Sequence, residues 1–332
     1  MNKPRIFILS PDTNIPIGGI KQLYRHTDIL NNNGFEAYIL HSKKNFRCNW
    51  FDNNTRICRL SKTKLQKSDY LVVPEIYGGL FCRHKMIKWH NRQLKNFIST
   101  SNNTVVFNQN CYLTFNGFST GIGDINPFWQ NDSIKAVLVV SEDSRQYMNY
   151  ALGNIKVFKI HNSIDREIFS YQKKKKKLIC YMPRKLAEDA VQVINILKCR
   201  NALGGFELTV IDSKNERQVA EIMKESLIFL SFSYQEGCQL PPMEAMLCGC
   251  VVIGYDGRGG REYFKSEFCY PVEQGDIISF AKTVEEAILK YNRNPDCFDE
   301  QRHKASEYIE NNYSSEKETE DVLRCWRTII SL

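Results

Sequence analysis

Leu227-Ile228-Phe229-Leu230-Ser231 leads through Phe232-Ser233-Tyr234-Gln235-Glu236-Gly237-Cys238-Gln239-Leu240-Pro241 into Pro242-Met243-Glu244-Ala245-Met246-Leu247-Cys248-Gly249, and Val251-Val252-Ile253 follows. The first and last pieces are short apolar runs, which read as strands buried on both faces. Pro242 suits the first turn of a helix, where its ring presets φ and no intrahelical donor is lost. Gly249 fits the left-handed cap that ends one. Strand, loop, a short helix over 242–248 and a strand over 251–253 predict a parallel sheet with helices packed on it.

The same alternation continues upstream. Strands are predicted over 178–182 and 206–211, and helices over 188–198 and 216–225; from Asp276 onward the chain reads as mostly helical. The first half repeats the theme. Ile6–Leu9 is a strand ending at Ser10-Pro11-Asp12. After Gly18-Gly19, apolar residues recur at helical spacing through Ile20, Leu23, Tyr24, Thr27 and Leu30, and Asn31-Asn32-Asn33-Gly34 stops that helix before a strand over Phe35–Leu40. Further strands are expected over 70–74, 105–107 and 136–140, a helix over 83–98 and a long loop over 111–131, while 43–67 is basic and without clear period. At about 150 residues per domain, 332 residues suggest two domains. The reading is two doubly wound α/β halves, residues 1–165 and 178–311, joined by a linker over 166–177 whose five lysines, Lys173 to Lys177, read as solvated or as drawn to a membrane surface. A ligand is expected between the halves, at the carboxyl ends of the strands.

Composition narrows the classes. Hydrophobic residues make up 42% and charged residues 25%, which excludes a disordered or fibrous chain. Lys plus Arg is 45 against 37 for Asp plus Glu, a net charge of +8 that suits an anionic ligand without requiring nucleic acid. The 12 cysteines contain no C-x-x-C pair and no zinc-finger spacing, so they read as reduced core residues. No apolar run reaches the length of a bilayer span and no secretory leader is evident, so a cytoplasmic protein, at most peripheral at the inner face of a membrane, is expected.

Glu236 and Glu244 carry the chemistry of the quoted stretch. Glu236 is expected in the loop after a strand, and Glu244 in the first turn of the next helix. That helix end, with its exposed amides and positive dipole, is suited to phosphate oxygens. Carboxylates beside phosphate repel it unless they bind something else, and sugar or ribose hydroxyls are the obvious candidates. Arg184 and Lys185 open a loop after a strand, where a basic pair at a helix start is unfavourable without an anion nearby. Gly18-Gly19 lets backbone approach a ligand closely. No G-x-G-x-x-G occurs there, which disfavours a nicotinamide enzyme, and Gly121-Ile122-Gly123 falls in a loop of the wrong kind. Asp256-Gly257-Arg258-Gly259-Gly260-Arg261-Glu262 forms a second glycine-rich loop. No Asp-x-Asp motif is present.

Glu236-x7-Glu244, with Leu-Pro-Pro-x-Glu-Ala-Met and then Cys248-Gly249-Cys250-Val251-Val252, resembles the donor-site signature of family-4 retaining glycosyltransferases of the GT-B fold. Gly18-Gly19, Val139-Val140-Ser141-Glu142, Asn162-Ser163-Ile164-Asp165 and Tyr181-Met182-Pro183-Arg184-Lys185 extend the resemblance along most of the chain. It implies two Rossmann-like domains facing a central cleft, with the C-terminal residues 312–332 packing back on the first domain. It implies a hexosyltransferase-type enzyme that moves a sugar from a nucleotide diphosphate sugar to a glycan or lipid-linked acceptor, retaining its configuration, in surface polysaccharide or glycoconjugate synthesis. Glu236 would contact the sugar and Glu244 the ribose. The amides of Cys238, Gln239 and Leu240 would contact sugar and phosphate, and Arg184 with Lys185 would hold the leaving diphosphate. Gly18 and Gly19 would face the donor, and Asn110 stands near a position where relatives have a histidine that contacts the sugar. No metal or other cofactor is expected. The family pattern Phe-Gly-Leu is replaced by Cys238-Gln239-Leu240, so a side chain at Gln239 is expected to alter donor choice. Two other readings stand beside this one: a nucleotide-sugar-binding protein without transferase activity, and a glycosyltransferase acting on DNA bases, although nucleic acid is disfavoured as a partner.

Overall fold

The computed structural model describes residues 3–81, 89–118 and 128–332. Two compact units divide the chain: Met1–Ile160 with Thr319–Leu332, and His161–Glu318.

The first unit contains β1 (Arg5–Leu9), α1 (Gly18–Asn32), β2 (Glu36–His41), β3 (Ile57–Arg59), β4 (Tyr70–Pro74), α2 (Trp89–Ser99), β5 (Asn103–Asn108), β6 (Ile134–Val139), α3 (Glu142–Ala151) and β7 (Lys156–Lys159). Its strands pair in parallel in the order β3-β2-β1-β4-β5-β6-β7. The central strands β1, β4 and β5 are nearly all buried, because helices cover both faces of a parallel sheet. The expected long loop over 111–131 begins as a short 3₁₀ turn at Cys111–Leu113. The part of it that holds Gly121-Ile122-Gly123 lies outside the described residues, as do residues 83–88 of the expected helix.

The second unit contains β8 (Lys176–Tyr181), α4 (Ala187–Cys199), β9 (Glu207–Val210), α5 (Glu216–Glu225), β10 (Ser226–Ser231), α6 (Leu240–Leu247), β11 (Val251–Gly254), β12 (Tyr270–Pro271), α7 (Ile277–Arg293) and α8 (Asp299–Asn312). The order is β12-β11-β10-β8-β9, again parallel. Side-chain alternation splits its core between the two faces. Cys180, Phe229 and Val252 join one cluster, with Met223 and Met246. Ile179, Ile228, Leu230 and Ile253 join the other, with Val193 and Val284.

The lysine run corrects the expected linker over 166–177. Residues 161–177 belong to the second unit, and Lys176 and Lys177 already lie in β8. Lys175 is not solvated. Its ammonium donates to the carbonyls of Met223 at 3.0 Å, Lys224 at 2.9 Å and Cys248 at 2.7 Å. Burial pushes its pKa down, while Cys250 and Cys248 act the other way. A lysine stem can be buried when its head finds acceptors, and the ends of α5 and α6 supply them.

The last helix, α9 (Ser315–Ile330), brings Thr319–Leu332 into the first unit. Trp326 is fully buried there, and its indole N–H donates to His26 Nε2 at 2.7 Å. Burial lowers the His26 pKa to about 3, which keeps that nitrogen a neutral acceptor. No helix among the described residues is long and apolar enough to cross a membrane.

Candidate functional site

In the second unit β8 and β10 lie side by side, and the chain winds away from them in opposite directions. The loops that follow these two strands therefore diverge and leave a crevice at their carboxyl ends, the usual ligand position of a doubly wound sheet. The loop after β8 carries Arg184 and Lys185. The loop after β10 carries Glu236. Lys185 Nζ forms an ion pair with Glu236 Oε2 across this point; the lysine side chain is 42% exposed and the carboxylate 17%. Ser233 Oγ donates to the other oxygen, Oε1, at 3.4 Å. Arg184 is exposed in the same turn.

The glycine-rich loop after β11 braces Glu236 from below. The Glu236 amide donates to Gly257 O at 2.9 Å, and the Gly259 amide donates to Glu236 O at 3.1 Å. Glu236 and Arg258 thus form an isolated parallel bridge. A Cβ on Gly259 would collide with the carbonyl oxygens of Glu236 and Gly237, so only glycine allows this approach. Arg258 holds a left-handed φ of 66° beside it. Local sequence named this loop, but not its pairing with Glu236, because the two segments are distant along the chain.

Helix α6 begins two residues earlier than expected, at Leu240. Glu244 therefore lies beyond its first turn. Pro241 and Pro242 occupy positions that would otherwise offer free amides, since proline has no N–H. Of the four N–H groups that a helix start normally leaves unbonded, Gln239 and Leu240 retain theirs, and Cys238 precedes them. Two of the three expected amide contacts thus coincide with the donors that the prolines leave.

Gln239 departs from expectation. Its φ is −88°, so the backbone needs no glycine at this position. Its side chain is 1% exposed and turns inward, with Oε1 accepting from Ser231 Oγ at 3.5 Å and Nε2 against Gly257. Tyr263 Oη donates to Gln239 O at 2.7 Å and holds the backbone. A buried side chain cannot alter donor choice by direct contact, so the glutamine supports the loop from inside.

In the first unit the order reverses between β1 and β4, which places the loops after them in the corresponding position. Gly18 and Gly19 begin α1, with no side-chain cap from Ile17. A Cβ on Gly19 would meet Gln109 Oε1 at 3.2 Å. The amides of Gln109 and Asn110 donate to Glu75 Oε2 and Oε1 at 3.2 and 3.1 Å. Glu75 is 4% exposed, and burial, opposed by those amides, pushes its carboxyl up to about 7. Asn110 Oδ1 accepts from the Tyr112 amide at 3.1 Å, so part of this side chain holds its own turn. Sequence reasoning missed Glu75; an acidic residue directly after a buried strand was the available signal.

The cysteines are free among the described residues, most of them buried. No group of three or more His, Cys, Asp or Glu among those residues could hold a metal ion.

Residues 196–312 match the family model described as glycosyl transferases group 1. The second unit carries a group 1 glycosyltransferase domain. The crevice between β8 and β10 and both glutamates belong to the unit that holds this domain. Over 231 residues the chain is 23% identical to an alpha-1,6-glucosyltransferase of Actinobacillus pleuropneumoniae serotype 7, covering 68% of this chain and 65% of that protein. Sucrose-phosphate synthase of Thermosynechococcus elongatus superposes with a TM-score of 0.69 at 13% identity, covering 99% of this chain and all of the other. TarM gives 0.68 at 12% identity, covering 100% and 99%. Anabaena HepE in complex with UDP and glucose gives 0.65 at 12% identity, covering 99% and 100%. At these identities the superpositions speak for the fold, which is that of GT-B glycosyltransferases.

Proposed function

We propose that this protein is a retaining glycosyltransferase that moves a hexose from a nucleoside diphosphate sugar to a glycan or lipid-linked acceptor, without a metal, in surface polysaccharide or glycoconjugate synthesis. The observation that carries this reading is the Lys185–Glu236 ion pair across the β8/β10 crevice. A carboxylate beside a diphosphate is repulsive. Lys185 neutralises Glu236, and Arg184 in the same turn adds positive charge, so sugar-binding and phosphate-binding groups coexist.

In this account Glu236 accepts hydrogen bonds from hydroxyls of the transferred sugar, and Glu244 from the ribose. Arg184, Lys185 and the amides of Cys238, Gln239 and Leu240 stabilise charge that grows on the diphosphate as the glycosidic bond breaks. The acceptor oxygen attacks the face from which the diphosphate departs, and a leaving-phosphate oxygen takes the acceptor proton. The configuration is thus kept without a protein nucleophile. HepE complexes with UDP-glucose and a glucosyltransferase relative support UDP-glucose as the first donor to try. Attraction to the inner face of a membrane would bring the enzyme to a lipid-linked acceptor.

Glu236→Ala should lower donor turnover by about a hundredfold or more, the scale of losing a group that stabilises the transition state, while circular dichroism and melting stay those of the folded protein. Turnover equal to wild type in that variant rules out the role given to Glu236.

A further inference from the structure

Residues 42–68 hold eight Lys and Arg against one carboxylate, Asp52, and thereby concentrate +7 of the chain's +8 in one excursion. The segment joins β2 to β4 and contributes β3, the outermost strand of its sheet. Lys44, Arg56, Lys62, Lys64 and Lys67 are exposed. Among the described residues, none of the eight cations is in an ion pair, and the segment's single carboxylate, Asp52, does not balance them. An unbalanced positive surface of this density repels itself, and an external anion relieves that cost.

A second feature lies against it. The loop after β1 is stapled to the start of this segment. The amides of Ser42 and Lys43 donate to Asp12 Oδ1 and Oδ2 at 3.2 and 2.9 Å, and the Asn49 amide donates to Asn14 Oδ1 at 3.3 Å. Next in that loop, Ile15 is 64% exposed and Ile17 44%. Aliphatic tips stapled to a lysine-rich segment suit a bilayer interface, where the tips enter the headgroup boundary and the lysines meet lipid phosphates.

The chemistry favours this partner over other polyanions. The aromatic rings of the segment are turned inward and are not exposed: Phe46 packs on His41 at 4.7 Å, and Phe51 on Tyr24 at 5.3 Å. No ring platform is offered to nucleobases. Lysines dispersed over a long excursion fit a diffuse anionic surface better than a discrete ligand. The run Lys173–Lys177, the more conspicuous sequence signal, is partly consumed within the second unit by carbonyls and Glu225.

We propose that residues 42–68 and the Ile15–Ile17 tip form a docking surface for a bilayer containing acidic phospholipids. This deepens the proposed function by naming the surface that brings the enzyme to a lipid-linked acceptor, and it rests on that reading only for its purpose.

The test is partitioning of the full chain onto vesicles of phosphatidylcholine, with and without phosphatidylglycerol. Wild type should bind the acidic vesicles selectively, and added salt should release it. Each lysine near an anionic leaflet multiplies binding by about fivefold, so Lys44→Glu/Lys62→Glu/Lys64→Glu should weaken it by about a hundredfold or more. Ile15→Ser should weaken it several-fold, and Lys173→Glu/Lys174→Glu should leave it unchanged. No preference for acidic vesicles, an unaffected triple variant, or binding to DNA or an acidic polysaccharide but not to vesicles overturns the proposal. The affinity of each variant for UDP, measured without lipid, keeps this outcome separate: failure to bind UDP counts against the donor site and leaves the vesicle result standing.

Discussion

Glu75 takes both of its oxygens out of water to hold the amides of Gln109 and Asn110. Its carboxyl, pushed up to about 7 by burial from an ordinary 4.5, binds its proton more tightly in the folded than in the unfolded protein. The linkage sign follows. This contribution to stability is full below about pH 4.5 and is lost as pH rises through about 7, by at most about 3 kcal/mol. Thermal melts should show stability falling across that window. Glu75→Gln, which keeps one acceptor and cannot ionise, should flatten the slope while lowering the melting temperature modestly at low pH. A slope unchanged by the substitution would show that another group titrates. At this scale the sequence was informative about chemistry and silent about partners. Glu236 and Lys185 stand out by type, yet their pairing needs two loops far apart along the chain. Gln239, whose side chain was expected to alter donor choice, is buried, since its backbone takes ordinary dihedrals while Gly257 leaves room for the amide.

Elements with apolar periodicity were readable; polar ones were not. β1, β4, β10 and β11 are unbroken apolar runs because helices cover both faces of each sheet. Helix α3 went unseen because Ser144 and Met148 are its buried residues, too few for a helical stripe. Its signal was the cap instead: Ser141 Oγ accepts from the Ser144 amide at 3.1 Å, with Glu142 and Asp143 in the first turn. Strand β7, Lys-Val-Phe-Lys at an edge, is short and has no buried residue. Lys175 inverts the rule that charge runs are solvated, since its ammonium donates to three carbonyls at the ends of α5 and α6, two of which, Met223 O and Cys248 O, also accept from Cys250 Sγ and the Gln172 amide. Lys175→Met fills the same space without donors. It should cost about 1–3 kcal/mol, the scale of one buried carbonyl left without its donor, and lower the melting temperature by several degrees. A melting temperature equal to or above wild type would return the run to the status of a linker.

On the scale of the whole molecule, the two sheets are separate solutions to one problem. Each reverses its strand order once, between β1 and β4 and between β8 and β10, with Glu75 directly after β4 and Lys185 and Glu236 in the loops after β8 and β10. The number of domains and their α/β class were legible from alternation. The boundary was not, because residues 161–177 lack a strand pattern and are claimed by contacts with α6 and α8, such as Gln172 N–H to Cys248 O at 3.2 Å and Arg302 to Lys173 O at 3.2 Å. The central claim is that the β8/β10 crevice of the second unit binds a nucleoside diphosphate through Arg184 and Lys185, while Glu236 serves the sugar. Calorimetric titration of UDP into wild type, Arg184→Ala, Lys185→Ala and Glu236→Ala tests it most directly. At about 1.5–3 kcal/mol per charge-assisted hydrogen bond, each basic variant should lose about tenfold or more in affinity, and Glu236→Ala should bind UDP as well as wild type or better. Equal affinity in the basic variants, or loss of UDP binding in Glu236→Ala alone, would contradict the account.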